Sequence, residues 1–349
     1  MLAAVLLSSG CTAVQVISEK DLLDHTNAKL ASLSLKPASD GRTEFRDRFC
    51  TKLAQDGAEL GFTENCETYL PDGGLAKAYS PALPAKLHNI RLVFATGLFG
   101  QCVSDDTSIL SDARNYIEKN GLSGVRTLRM EVVNVSGYSS SGVNAALLKT
   151  ALDDMDLAAS ERVILIGHSK GVADTTELLG LYPKTAKKVD AVLSVAGAVL
   201  GSPLADNKGA FEWLLQSIKT GCRGPDGAGL NSLKPVVRQN FLKRYSLPGR
   251  IKYYSLVGNG NRSETSPALH PSWDLSSTYS SNNDSQVLST DAVLPGSKLL
   301  GFLKADHWAI AMPLDKTYPL LAKTVLNKNA YPREIMLSTA LEMIVSDFR

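Results

Sequence analysis

Residues 163–179 read VILIGHSKGVADTTELL. Four apolar residues, three of them β-branched, run into Gly-His-Ser-Lys-Gly, and a stretch with helical spacing follows. A short apolar run that ends in glycine fits a buried strand. The Gly-x-Ser-x-Gly pentapeptide alone is a weak signal, but a strand leading into it and a helix leaving it form the context of a nucleophile elbow. Bulky side chains at Gly167 and Gly171 would clash with neighbouring strand and helix in so tight a turn. Ser169 takes a strained backbone conformation there, which lifts its hydroxyl clear of the sheet. The helix that follows aims its positive N-terminal end at the same place, where it favours a developing oxyanion. The backbone N–H of Lys170, directly after the serine, is therefore expected as one oxyanion donor. His168 is expected to point away from the serine and to take no part in the chemistry.

Working outward, apolar strand-like runs alternate with helical ones from about residue 90. NIRLVFATG, GVRTLRMEVV, RVILIGHS, VDAVLSVAGA, RIKYYSLVG and SKLLGFLKADH read as strands. SILSDARNYIEKNG, GVNAALLKTALDDMDLAA and GVADTTELLGLYP read as helices between them, and PREIMLSTALEMIVSDF closes the chain as another. Such alternation indicates βαβ crossovers and a mostly parallel central sheet with helices on both faces. Residues 203–250 break the rhythm and read as an inserted helical cap, in which Phe211, Trp213, Leu214, Leu215 and Phe241 supply apolar surface for an acyl pocket, a lid or plain packing. The expected organisation is a leader over residues 1–19, a helical N-terminal extension over 20–85, and the α/β domain over 86–349.

A serine nucleophile needs a base and a carboxylate to orient it. Among the five histidines, His307 in ADHWA follows the last strand and fits the base, with His270 as the alternative. The acid is expected between Ser169 and His307, where Asp274, Asp284 and Asp291 all qualify and Asp206 is a further choice. Asp284 is favoured because it lies in a polar Asn-Asp turn that returns toward the last strand. The second oxyanion donor is expected from the ATGLFGQC loop, where Gly97 allows a close approach and Leu98, or else Phe99, carries the N–H.

These residues resemble an α/β-hydrolase of the bacterial lipase/esterase kind over about residues 90–348. The segments that carry the resemblance are TGLFG, GHSKG, SVAGAVLGSPLAD, NNDSQV and ADHWA, in the order Ser, Asp, His. Two departures stand out: Ser285 replaces the glycine that lipases commonly show after the acid, and Thr96-Gly97 stands where many relatives have His-Gly. The resemblance implies a serine ester hydrolase that works through an acyl-enzyme with no cofactor or metal. The same residue set also serves acyltransferases, thioesterases, polyhydroxyalkanoate depolymerases and peptidases, and a non-catalytic surface lipoprotein is a reading of another class.

The bulk properties agree with an ordinary globular chain: 349 residues, 44% hydrophobic, 21% charged, net charge +2. No basic stripe points to nucleic acid. The start, MLAAVLLSSGC, is apolar, then small, then reaches Cys11, which reads as the end of an export signal and resembles a lipobox, with Cys11 as the lipidated residue. Export to a bacterial cell envelope or beyond is the expectation, with membrane anchoring through Cys11. The remaining cysteines, Cys50, Cys66, Cys102 and Cys222, number four, so two disulfides are expected: the local pair Cys50–Cys66 and the distant pair Cys102–Cys222. Oligomeric state is left open by the sequence.

Overall fold

The computed structural model describes residues 17–71, 86–97, 108–207, 209 and 228–348. Seven strands form one sheet in it: β1 (Ser39–Asp40), β2 (His88–Ala95), β3 (Val125–Val133), β4 (Glu161–His168), β5 (Ala191–Val195), β6 (Lys252–Gly258) and β7 (Lys298–Leu303). Their order is β1-β7-β6-β5-β4-β2-β3 and every pairing is parallel. Parallel neighbours need crossovers, which the helices supply. The longer ones are α1 (Glu19–Ser32), α2 (Arg42–Asp56), α3 (Ser111–Asn120), α4 (Ser141–Asp154), α5 (Lys170–Leu181), α6 (Pro235–Arg244), α7 (His270–Ser277) and α8 (Arg333–Ser346).

The central strands bury both faces, as their continuous apolar runs require. In β4, Ile164 and Ile166 join the core on one side, while Val163 and Leu165 join the core on the other. In β2, Ile90, Leu92 and Phe94 share the first side, and Val93 and Ala95 share the second. Helices α2, α3 and α8 cover the first face, and α4 and α5 cover the second. Helix α8 is buried almost all round, and its fully buried Arg333 is neutralised by Asp112 at 2.8 Å and Asp315 at 2.7 Å.

The N-terminal extension is built into this core. β1 pairs with β7 at the sheet edge, and Phe45 and Phe49 of α2 lie with Leu300 of β7 and Met336 of α8 in one cluster. Cys50 and Cys66 form the local disulfide. Cys11, Cys102 and Cys222 lie outside the described residues, as does the cap segment holding Phe211, Trp213, Leu214 and Leu215. Of the segment read as a cap, the described part lies against α5: a Cβ on Gly180 would stand 3.0 Å from the Phe241 ring of α6, which also stacks on Tyr245.

The feature that positions a site is the strand order. From β2 the chain steps outward to β3, then returns to the other side of β2 for β4. The carboxyl ends of β2 and β4 therefore feed loops in opposite directions and leave a crevice between them, the place where open parallel sheets bind ligands. Gly97 follows β2 and Ser169 follows β4.

Candidate active site

Ser169 is the N-cap of α5 with φ 55° and ψ −124°, a left-handed conformation that a serine rarely adopts. The surrounding glycines show what compels it. A Cβ on Gly171 would stand 2.3 Å from the Ala95 carbonyl oxygen and 2.8 Å from that of Thr96, and one on Gly167 would stand 2.9 Å from the Val172 nitrogen. Strand β4 and helix α5 thus close on each other and on β2 with no room for a side chain. A Cβ on Gly97 would be 3.3 Å from the Ser169 Cβ, so Gly97 lies directly beside the serine.

The Ser169 hydroxyl is 2.8 Å from His307 Nε2, and His307 Nδ1 is 2.8 Å from Asp284 Oδ2. All three side chains are buried. Asp284 is further fixed on its other oxygen, which accepts the backbone N–H of Gln286 at 2.9 Å and of Val287 at 2.7 Å. With one oxygen occupied by two amides, only Oδ2 faces the imidazole. The His307 N–H also donates to the Asp284 carbonyl at 2.8 Å, which locks the two loops together.

The other sequence alternatives are engaged elsewhere. Asp274 is exposed and pairs with Arg262 at 2.6 Å. Asp291 is buried against Lys29, and Asp206 is exposed at the end of the Pro203–Asp206 turn. His270 Nε2 bonds the Thr265 carbonyl at 3.0 Å. Lys170 opens α5, where the helix offers its backbone N–H no acceptor. Leu98 and Phe99 lie outside the described residues.

His168 does not turn away from this group. Its ring lies 4.9 Å from that of His307, and its Nε2 donates to the His307 carbonyl at 3.0 Å. Burial, with the nearby His307 charge adding to it, pushes its pKa down to about 3, so the ring is a neutral strut. Asp306 holds the same loop by accepting the N–H groups of Ser266 at 2.9 Å, Trp308 at 3.0 Å and Ala309 at 2.8 Å. Below the serine, Lys170 and Asp174 form a fully buried ion pair at 2.7 Å. Burial lowers the lysine pKa and raises that of the aspartate, each against the pull of its partner. Asn144 donates to Asp174 at 2.7 Å and to the Ser136 carbonyl at 2.8 Å, and Val135 N–H donates to Thr96 Oγ1 at 3.3 Å. The serine's helix is thereby joined through α4 to the residue before Gly97.

A solved metagenomic carboxyl esterase, MGS0156, superposes on this chain with a TM-score of 0.77 and 32% identity, over 92% of this chain and 99% of its own. The chain belongs to the α/β-hydrolase superfamily. The propeptide form of a Bacillus licheniformis lipase, BlEst2, shares the fold at 21% identity, with a TM-score of 0.51 over 73% of this chain and 51% of its own. No protein-family model matches the sequence, and neither does any curated protein.

Two sequence features of this α/β-hydrolase gain their meaning only from the structure. Ser285 has φ 86°, which explains the glycine that relatives place there. Its N–H is held by Asn283 Oδ1 at 2.8 Å, and its own hydroxyl is buried without a partner among the described residues. The GNGN turn at residues 258–261 makes room: a Cβ on Gly258 would stand 2.6 Å from the Asp284 Cβ, and one on Gly260 would stand 3.3 Å from the Ala305 carbonyl. No chemical motif flags these glycines; they clear space for the acid and for the histidine loop.

Ser285→Gly should relieve a left-handed serine and an unbonded hydroxyl, raising unfolding free energy by up to about 1 kcal/mol with ester turnover unchanged. Urea unfolding of the two proteins checks it, and a less stable glycine variant contradicts the strain account. His168 generates a second expectation. Between its unfolded value of 6.5 and its folded value of about 3 the unfolded chain binds one proton more, so stability is lost as the pH is lowered through that window. From pH 6 to 4.5 the wild type should lose about 1.4 kcal/mol per pH unit more than His168→Gln, which keeps a donor but does not titrate. Parallel slopes in denaturant titrations would remove His168 from that role.

Proposed function

We propose that the chain is a serine carboxylic-ester hydrolase. The observation that carries this is the unbroken hydrogen-bonded series from Ser169 Oγ through His307 to Asp284, 2.8 Å at each step. It stands at the carboxyl end of the sheet in a chain similar to a carboxyl esterase. Ser169 Oγ attacks the ester carbonyl carbon as His307 Nε2 takes its proton. Asp284 holds Nδ1–H and stabilises the resulting imidazolium. The carbonyl oxygen, now negative, turns to the Lys170 N–H and to the loop after Gly97, where Leu98 is the expected second donor. Collapse of the tetrahedral adduct breaks the bond to the leaving oxygen, which takes the proton from His307. Water then repeats the sequence on the acyl-enzyme, releasing the acid and restoring the serine.

A fluorophosphonate probe should label the wild type and leave Ser169→Ala unlabelled, with p-nitrophenyl ester turnover lost in parallel. Asp284→Asn should keep the fold and lower kcat by about 10⁴-fold, since an amide favours the wrong imidazole tautomer. Asp291→Asn should change kcat little. Labelling that survives in Ser169→Ala, or faster turnover of thioester or peptide than of ester, refutes the assignment.

We also propose that the protein is exported and lipid-anchored at Cys11. The apolar-to-small run before Cys11 supports this, and so does the Cys50–Cys66 disulfide, a bond that persists in oxidising compartments. Cells fed labelled palmitate should mark the wild type and not Cys11→Ala; equal labelling of both rules the anchor out.

A further inference from the structure

Residues 318–328, YPLLAKTVLNK, lie on the segment that links His307 to α8 and fold on themselves. The Ala322 N–H bonds the Tyr318 carbonyl at 2.9 Å, and Leu326 bonds Leu321 at 2.9 Å. Leu326 turns inward to a small separate core with Leu269, Trp308, Met312 and Leu314, so the knuckle is anchored on the residue that follows His307. Ala268 N–H donates to the Val325 carbonyl at 3.1 Å, which fastens the knuckle to the loop after β6. Both attachments follow strand carboxyl ends, so the knuckle stands on the same rim of the sheet as Ser169.

Its outer side is apolar. Leu320 is 81% exposed, and Tyr318, Leu321 and Val325 are each more than 40% exposed. Four large side chains within eight residues exceed the scattered exposure of ordinary surfaces, and an apolar patch rimmed by polar groups marks an interaction site. The rim is basic. Lys323 and Lys328 are exposed and have no acidic partner among the described residues, and residues 316–330 contain no Asp or Glu.

We propose that this knuckle docks the active-site rim on an anionic lipid surface. Aliphatic side chains with a tyrosine enter the interfacial zone, and the lysines reach back to acidic headgroups. The composition argues against a protein partner, because protein interfaces favour Arg and aromatic residues and are depleted in Lys. The start of the described fold points the same way. Ile17 exchanges two hydrogen bonds with Asn282, two residues before Asp284, so the described chain begins at this same rim. Cys11 stands six residues before Ile17, which gives a lipid anchor there a reach of roughly 20 Å. One acyl chain alone holds a protein to a membrane only marginally, and a second contact is what makes attachment stable.

The test is flotation of the full chain with phosphatidylcholine vesicles, with or without 30 mol% phosphatidylglycerol, at the lipid concentration that binds half of the wild type. Leu320→Ser/Leu321→Ser and Lys323→Glu/Lys328→Glu should each weaken binding to the anionic vesicles about tenfold or more. High salt should weaken the wild type and spare the lysine variant. Turnover of soluble p-nitrophenyl acetate should be unchanged in both, which shows that they fold. Equal flotation of wild type and leucine variant would assign vesicle binding to the N-terminal run and overturn the proposal. So would equal affinity for neutral and anionic vesicles, or a wild-type dimer in light scattering that the leucine variant abolishes.

Discussion

The contact on which the rest depends is the one between Gly171 and the carbonyl oxygens of Ala95 and Thr96. No side chain fits there, since a Cβ would stand 2.3 Å from the first oxygen. Helix α5 is therefore pressed onto the end of β2, and the single residue between β4 and α5 must reverse direction within that space. Ser169 does so with a positive φ, and the strain is held by packing on three sides. The same closeness places Gly97 beside the Ser169 Cβ. Ser169 and Gly97 are thus fixed relative to each other by steric exclusion before any hydrogen bond is counted.

Polar bonds then hold what packing has brought together. The His307 loop hangs from four points: the Asp284 carbonyl, the His168 ring, the Asp306 carboxylate and the buried Arg333, which donates to the Ala309 carbonyl at 2.8 Å. Beneath the serine, Asp174 receives both Lys170 and Asn144. A buried ion pair adds little stability against a well-packed apolar pair. Its effect here is one of direction, because Asn144 can bridge Asp174 to the Ser136 carbonyl only with an acceptor at that point. Geometry is specified by the partners rather than by the strength of the attraction.

The sequence carried the fold plainly where burial is two-sided. Each of β2 and β4 to β7 is an apolar run that could serve no solvent-facing role, and the helices between them show the other period. β1 was illegible because it is two residues long, Ser39 and Asp40, both exposed, and is a strand only because β7 lies beside it. The hydrogen-bonded trio Ser169, His307 and Asp284 was legible because each member faces another side chain, and few residue types can make such a series. Asp284 stood among rivals until Asp291 was seen to be taken by Lys29 and Asp274 by Arg262.

The supporting residues were hidden for a different reason. His168 acts on a backbone carbonyl, Asp306 on backbone amides, and Gly258 makes room for Asp284 by the side chain it lacks. Backbone groups are present at every position, so a side chain that engages them leaves no complementary mark elsewhere in the sequence. A carboxylate facing an imidazole is different, for each partner constrains the other's identity. Chemistry between two side chains can be read from residue types. Positioning against the main chain needs the fold first, and in this α/β-hydrolase much of what orients Ser169, His307 and Asp284 is of that second kind.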